Sequence, residues 1–441
     1  MIAMTGRLTN FLVKFNSFAK HQVYFQIIHE TLTLLFPFVL VGTYVDFLNQ
    51  AVFQKNGFLN NIYHVKNWLP GFKLLANYLS LLDLSINGVV AIAVVFLAAN
   101  LATRKNAYYN IAASLTAVFA FMIMNFNGSF LAYTGRQQVN KFLENNLSYN
   151  GCFLALVVGL TTGWIFNRLG ARSKKKDPHL MLRTSAWIRY NILPIAITLM
   201  LFGMFSYAAS FFGRTGANGL VSGLYELSFS NYEWILLTAV CAAFLSNGFW
   251  FLGITGSFNF SGINAGSTIQ NLEYAIQHGS PWGAPNPITI HTLFDSFANI
   301  GGPGMALSLL ITILLYSRNQ NFQLVAKTSL FPSIFNVSQS LLIGLPVLYN
   351  PLLAIPFLLT PVASILITWC ALKLNFMPPT VYPVSSSTPG LLIGWLGTGG
   401  TWQALLISII NVVAGIAIYL PFIILDNRIK SSRRGEIENE K

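Results

Sequence analysis

The chain has 441 residues, of which 54% are hydrophobic and only 9% charged, and its mean hydropathy is +0.57. A soluble chain carries about a quarter charged residues, so a water-exposed globular fold is excluded. The net charge of +13 does not point to nucleic acid. Much of it lies in 168–189, which includes "ARSKKKDPHLMLR", and in the tail "NRIKSSRRGEIENEK", as basic loops beside membrane spans do.

In chain order, "LTNFLVKFNSFAKHQ" places Leu8, Phe11, Leu12, Phe15 and Phe18 at helical spacing. That predicts an amphipathic helix on the cytoplasmic membrane face within residues 1–25. The first residues lack the compact apolar region and small-residue cleavage site of a signal peptide. Apolar runs then predict spans near 31–52, 85–103, 107–125, 151–169, 190–212, 232–253, 293–316, 330–349, 351–372 and 403–425, about ten in all. An even number places both termini on one side. The basic segments at Arg104–Lys105, 168–189 and beyond 426 fall on that side, which is therefore cytoplasmic. Arg318 and Lys327 fit less well, so the second half is expected to contain segments that enter the bilayer without crossing it. The predicted fold is an all-α integral membrane protein of about ten transmembrane helices, with re-entrant hairpins in its C-terminal half. Its units are 26–215, 216–428 and a cytoplasmic tail at 429–441.

The halves differ in texture. Through 212 the spans are long and uniform. Beyond about 230 they are broken by "GITGSFNFSGINAGST" (253–268), "FANIGGPGMA" (297–306) and "MPPTVYPVSSSTPGLLIGWLGTGGTW" (377–402). In hydrocarbon an unpaired backbone N–H or C=O costs several kcal/mol, so irregular backbone survives only inside protein or around a wet cavity. The second half is thus expected to enclose a polar site lined by 253–264, 336–344 and 385–400. Its side chains are neutral hydrogen-bonders, among them Asn259, Asn264, Asn299, Ser386 and Thr388, with Trp250, Trp395 and Trp402 close by. That chemistry suits an uncharged, hydroxyl-rich solute such as a sugar; Gly-rich helix packing is the competing reading.

Other signals are weak. Cys152, Cys241 and Cys370 sit singly in apolar runs, as small buried hydrophobes do. No histidines show metal-ligand spacing, and neither metal nor cofactor is expected. Asp295, inside an expected span, would cost roughly 2.5–3.5 kcal/mol at the bilayer centre, which marks it as functional unless it partners a backbone amide or caps a helix. His291 lies four residues before it. Glu30 and Asp83, near span ends, read as caps.

Four motifs give the chain a resemblance to a known family. "FPFVLVG" (36–42), "FWFLGITG" (249–256), "FNVSQSLLIGLPVLYNP" (335–351) and "SSTPGLLIGWLGTGGTW" (386–402) resemble those of enzyme IIC of the bacterial phosphotransferase system, in its lactose/cellobiose/diacetylchitobiose branch. "LFDSFANIGGPG" (293–304) is a softer match. The resemblance implies a homodimer whose N-terminal half dimerises and whose C-terminal half binds sugar. It also implies a partner, enzyme IIB (served by IIA), that donates phosphate to a sugar hydroxyl. The polar segments and the resemblance together give the expected substrate-binding positions Trp250, Thr255, Asn259, Asn336, Gln339, Ser386 and Thr388.

The departures fall on the chemistry. The family histidine is Thr255 here, its glutamate is Gln339, and a tryptophan is Ser386. Threonine and glutamine hydrogen-bond a sugar but do not accept a proton at neutral pH. The catalytic residues are therefore left open, with Asp295 and His291 as possible substitutes. The expected function is a phosphorylation-coupled sugar permease. The alternatives are a non-phosphorylating facilitator, a sugar sensor and a membrane docking or regulatory protein.

Overall fold

A computed structural model describes residues 22–104, 110–127, 141–142, 146–169, 184–212, 235–254, 265–345 and 347–439. The expected N-terminal amphipathic helix falls outside these residues, as does most of the basic segment 168–189.

Helix α1 (Val23–Leu48) runs into a π-helical turn, Asn49–Phe53. Short helices α2 (Phe58–Tyr63) and α3 (Val65–Trp68) follow, then α4 (Phe72–Ile86) and α5 (Val90–Thr103). The first half continues with α6 (Asn110–Met124), α7 (Cys152–Leu169) and α8 (Thr184–Phe212). A two-residue antiparallel pairing of Phe126–Asn127 with Lys141–Phe142 is the sole ladder among the described residues.

The pairing of α5 with α7 follows from small residues. In lipid no solvent-driven force joins helices, so close backbone approach and van der Waals contact must do it. Gly159 and Gly163, four apart on α7, supply the approach against an alanine-rich face of α5. A Cβ added at Gly163 would lie 2.3 Å from the Cβ of Ala102, and one at Gly159 would lie 2.9 Å from the carbonyl of Val95. Gly163→Ile is expected to destabilise the protein by about 1–3 kcal/mol through overpacking. A lowered melting temperature in detergent checks this.

The second half comprises α9 (Ile235–Phe251), α10 (Ala265–His278), a π-helical turn His291–Ser296 and α11 (Ala306–Tyr316). Then come α12 (Gln320–Ile334), α13 (Gln339–Gly344), α14 (Pro351–Lys373), α15 (Gly390–Gly397) and α16 (Trp402–Asn439). Pro351 opens α14, where a missing N–H costs nothing, and the Asn350 side chain accepts from Leu352 N at 3.1 Å. Prolines 356 and 361 inside α14 leave the carbonyls of Leu352 and Phe357 without their helical amide partners, and Thr360 Oγ1 donates to the carbonyl of Pro356. Leu309, Leu310, Phe357 and Tyr419 build the core where α11, α14 and α16 meet.

Among the described residues, six helical segments are long and apolar enough to cross a membrane: 23–63, 72–103, 149–169, 191–208, 351–373 and 402–429. Three shorter apolar helices, 111–124, 235–251 and 306–316, add to them. The membrane-embedded helical fold expected from the sequence is therefore present.

Two expected spans are not continuous helices. The run 293–316 is a π-helical turn, a glycine-rich loop at 297–305 and α11, because Gly301, Gly302, Gly304 and Met305 all take positive φ. The run 330–349 is the end of α12, a left-handed Asn336 (φ 66°) and the six-residue α13. Glu30 and Asp83 do not cap helices. Glu30 pairs with Arg104 Nη1 at 2.7 Å, and Asp83 Oδ1 accepts from Asn87 Nδ2 at 2.6 Å.

The halves meet in an aromatic cluster. The Phe47 ring lies 5.0 Å from that of Phe331 and 4.9 Å from that of Phe335, with Ala51, Phe58 and Val337 alongside. This joins the end of α1 to the foot of the motif that begins at Phe335.

Candidate functional site

The glycine-rich loop 297–305 shows how the site is held. It interrupts a segment that would otherwise be helical, so its backbone groups need partners from elsewhere. Ser364 Oγ of α14 donates to Phe297 O at 2.6 Å. Tyr419 Oη of α16 donates to Gly304 O at 2.7 Å. Gly304 N donates to Asn247 Oδ1 of α9 at 2.6 Å. Gly301 N donates to Asn336 Oδ1 at 2.9 Å. Four polar side chains from separate elements thus pin one short loop. Removing one strands a buried group: Asn247→Leu is expected to cost about 1–3 kcal/mol, read as a lower melting temperature in detergent.

Asn336 reaches further. Its Nδ2 also donates to Thr388 O at 2.9 Å and to Ser386 O at 3.3 Å. One carboxamide therefore joins the loop 297–305, the 335–339 turn and the loop 385–389. The packing is close: a Cβ at Gly390 would lie 2.6 Å from both Asn336 Oδ1 and Gly301 N. In the last loop Ser385 Oγ and Ser387 Oγ lie 2.9 Å apart. Ser387 Oγ also accepts from Phe58 N of the first half at 3.1 Å.

Around this junction, hydrogen-bonding atoms are left over. The oxygens Gln339 Oε1, Ser340 Oγ and Thr388 Oγ1 are buried without a protein partner. Buried polar groups in folded proteins nearly always find partners, so these three oxygens keep hydrogen-bonding capacity that no protein group answers. Ser386, by contrast, is exposed.

Of the other expected site residues, Trp250 is half-buried near the end of α9 and packs on the cluster containing Leu341, Leu342 and Phe357. The chain after it is tied to the third motif, since Tyr349 Oη donates to Leu252 O at 2.6 Å and Tyr349 N to Phe251 O at 3.3 Å. Thr255 and Asn259 lie outside the described residues, as does 255–264 generally. The stretches 336–344 and 385–390 do converge, and 297–305 joins them. Asn247, Ser364 and Tyr419 are additional residues of the junction. Asn247 had a legible signal, an amide inside an otherwise apolar helix.

His291 and Asp295 face one another across the second π-helical turn, with His291 Nδ1 3.1 Å from Asp295 Oδ2. Both side chains are about two-thirds buried, so Asp295 is satisfied by an imidazole instead of a helix end. Beside them runs a chain of buried hydroxyls. Thr289 Oγ1, Thr292 Oγ1, Thr380 Oγ1 and Ser296 Oγ follow one another at 3.0 Å steps. This ties the turn to residue 380, ahead of α15. Of the cysteines only Cys152 is buried; Cys241 is intermediate and Cys370 exposed, and all are free. Among the described residues no group of three or more His, Cys, Asp or Glu could hold a metal ion.

Comparison with known proteins gives this geometry a family. The PTS system oligo-beta-mannoside-specific EIIC component of Bacillus subtilis is 22% identical over 431 residues, covering 95% of this chain and 93% of that protein. The PTS system cellobiose-specific EIIC component of Lactococcus lactis is 34% identical over 139 residues, 32% of this chain; that match spans only 28% of the relative's length. The PTS system lactose-specific EIICB component of Staphylococcus haemolyticus is 27% identical over 68% of this chain and 52% of its own length. Among solved structures, the transporter ChbC, the IIC component from the N,N'-diacetylchitobiose-specific phosphotransferase system, aligns over 95% of this chain and 97% of its own, at 21% identity and a TM-score of 0.42. The family model for the phosphotransferase system EIIC matches residues 29–361, and the chain accordingly belongs to the phosphotransferase system EIIC family.

Proposed function

We propose that the chain binds a glycoside or oligosaccharide of the cellobiose or lactose kind and carries it across the bacterial cytoplasmic membrane. A separate enzyme IIB, charged by IIA, phosphorylates the sugar at the cytoplasmic face. The observation that carries this reading is the junction at Asn336. Three irregular segments meet there within the helical half, and the unpartnered Gln339 Oε1 and Thr388 Oγ1 lie in two of them. Neutral donors and acceptors match sugar hydroxyls, which gain little from a fixed charge but need each buried polar group answered. Thr255 and Asn259, with Trp250, would complete the lining, and Ser386 leaves open the space a tryptophan occupies in the family.

In this reading 216–428 binds the substrate, 26–215 carries the homodimer contact, and 1–25 and 429–441 lie at the cytoplasmic face against lipid. The sugar hydroxyl attacks the phosphorus of the enzyme IIB phosphocysteine, the S–P bond breaks, the thiolate leaves, and the hydroxyl proton passes to that thiolate or to water. Thr255 and Gln339 can orient that hydroxyl but cannot remove its proton at neutral pH.

Uptake of labelled cellobiose, lactose and β-mannobiose by membrane vesicles tests the proposal. Sugar phosphate should accumulate inside only when phosphorylated enzyme IIB is supplied. Equilibration of free sugar, indifferent to enzyme IIB, would instead make the chain a facilitator. Absence of any uptake or binding across the panel would remove the transport reading.

A further inference from the structure

The carboxamide of Asn336 could serve the sugar site in two ways: by touching the sugar, as the family motif suggested, or by shaping the loops that do. Its donor hydrogens decide between them. Nδ2 donates to the carbonyls of Thr388, at 2.9 Å, and Ser386, at 3.3 Å, and Oδ1 accepts from Gly301 N. A group whose donors are fully used by backbone has none to offer a ligand. We propose, resting on the sugar-site reading above, that Asn336 is a positioning residue: it holds the loop 385–389 and the glycine-rich loop 297–305 in fixed register, with Thr388 packed inside and the exposed Ser386 side chain presented to the sugar.

Three further features fit that role. First, the residue is left-handed, with φ 66°, a conformation that asparagine and glycine tolerate and most residues do not. The turn aims the amide at both loops instead of along α13. Second, the loops have little else to fix them to the turn. Ser385 and Ser387 pair with each other, and Ser387 leans on Phe58 N of the first half. Third, the space is filled: a Cβ at Gly302 would lie 2.3 Å from Ser338 Oγ, and one at Gly390 would lie 2.6 Å from Asn336 Oδ1. The amide is therefore closely packed against Gly390. Asparagine supplies two donors and an acceptor from one planar group. Aspartate would keep the acceptor for Gly301 N–H but set its other oxygen against two carbonyls.

The test separates backbone from side chain. Asn336→Gly keeps the left-handed turn and deletes the amide; Asn336→Asp keeps the shape and deletes the donors. Loop position is read by maleimide labelling of Thr388→Cys in full-length protein, with Cys241 and Cys370 changed to serine. Thr388 is buried and its hydroxyl has no protein partner, so the replacement thiol loses no protein hydrogen bond. Labelling should be slow with Asn336 present and at least about tenfold faster in both variants. The Kd for cellobiose, measured without the introduced cysteine, should rise at least about tenfold in both variants, while their melting temperature in detergent changes by only a few degrees. The proposal is overturned if labelling stays slow in both variants, or if cellobiose affinity is unchanged while labelling accelerates. A uniform drop in melting temperature that alone accounts for both effects also overturns it, by making the role merely structural. If the unmodified protein binds no sugar of the panel, the transport reading fails, and the labelling arm still decides whether Asn336 holds the loops.

Discussion

Thr255→His combined with Gln339→Glu is expected to raise single-turnover phosphate transfer from phosphorylated enzyme IIB to bound sugar by roughly 10²–10⁴-fold, the usual worth of general acid–base assistance. The two changes should act together, with the double variant exceeding the product of the singles, because both groups handle one hydroxyl. The unmodified protein should still bind sugar, since hydroxyl and amide groups retain their hydrogen bonds. The competing source of proton transfer is the His291–Asp295 pair, whose 3.1 Å contact resembles a base with its orienting carboxylate. If the unmodified protein transfers phosphate rapidly and His291→Ala abolishes transfer without loss of sugar binding, the acid–base function resides in that pair. The expected gain from Thr255→His and Gln339→Glu would then be absent.

The second large effect concerns the junction's backbone. Gly301→Ala and Gly390→Ala are each expected to abolish sugar binding and to lower the yield of folded protein. At Gly301, φ is +80°, which costs an L-residue about 1–2 kcal/mol. Its new Cβ would also lie 2.3 Å from Leu307 Cβ and 2.6 Å from Leu307 N, an overpacking of about 1–3 kcal/mol. At Gly390 the obstacles are Gly301 N and the Asn336 amide, neither of which can retreat without breaking the bond between them. Gly203 on α8 serves as the control. A Cβ there meets nothing within 4 Å, so Gly203→Ala should be neutral or stabilising by about 0.5–1 kcal/mol through helix propensity. Size-exclusion profiles, melting temperatures and cellobiose binding read all three.

These residues also show what the sequence made legible. The glycine- and serine-rich interruptions at 297–306 and 377–402 stood out because a bilayer forbids exposed irregular backbone, and both lead to the junction. Hydropathy alone nevertheless drew unbroken spans at 293–316 and 330–349. Hydropathy averaged over a window registers Phe297, Ile300 and Leu307 and passes over Gly301 and Gly302, which fix the chain's path. Asn336 was legible as a site residue by motif, but its use was not. A motif gives a residue's presence, whereas its partners are carbonyls of Ser386 and Thr388, some fifty positions away. Ser364 and Tyr419 escaped for the same reason, since each serves a backbone atom of a distant loop. The contact between Phe58 N and Ser387 Oγ pairs residues 329 positions apart, and nothing local to either announces it.

The claim that the sugar sits at the Asn336 junction is tested most directly by ligand protection at Ser386. That side chain is exposed and lies on the loop whose carbonyls Asn336 holds. Ser386→Cys, in protein with Cys241 and Cys370 replaced by serine, should label readily with a small maleimide. Saturating cellobiose, or whichever sugar of the panel binds, should slow that labelling at least about fivefold, whereas sucrose should leave it unchanged. A labelling rate indifferent to a sugar that demonstrably binds the same protein would place the binding site elsewhere.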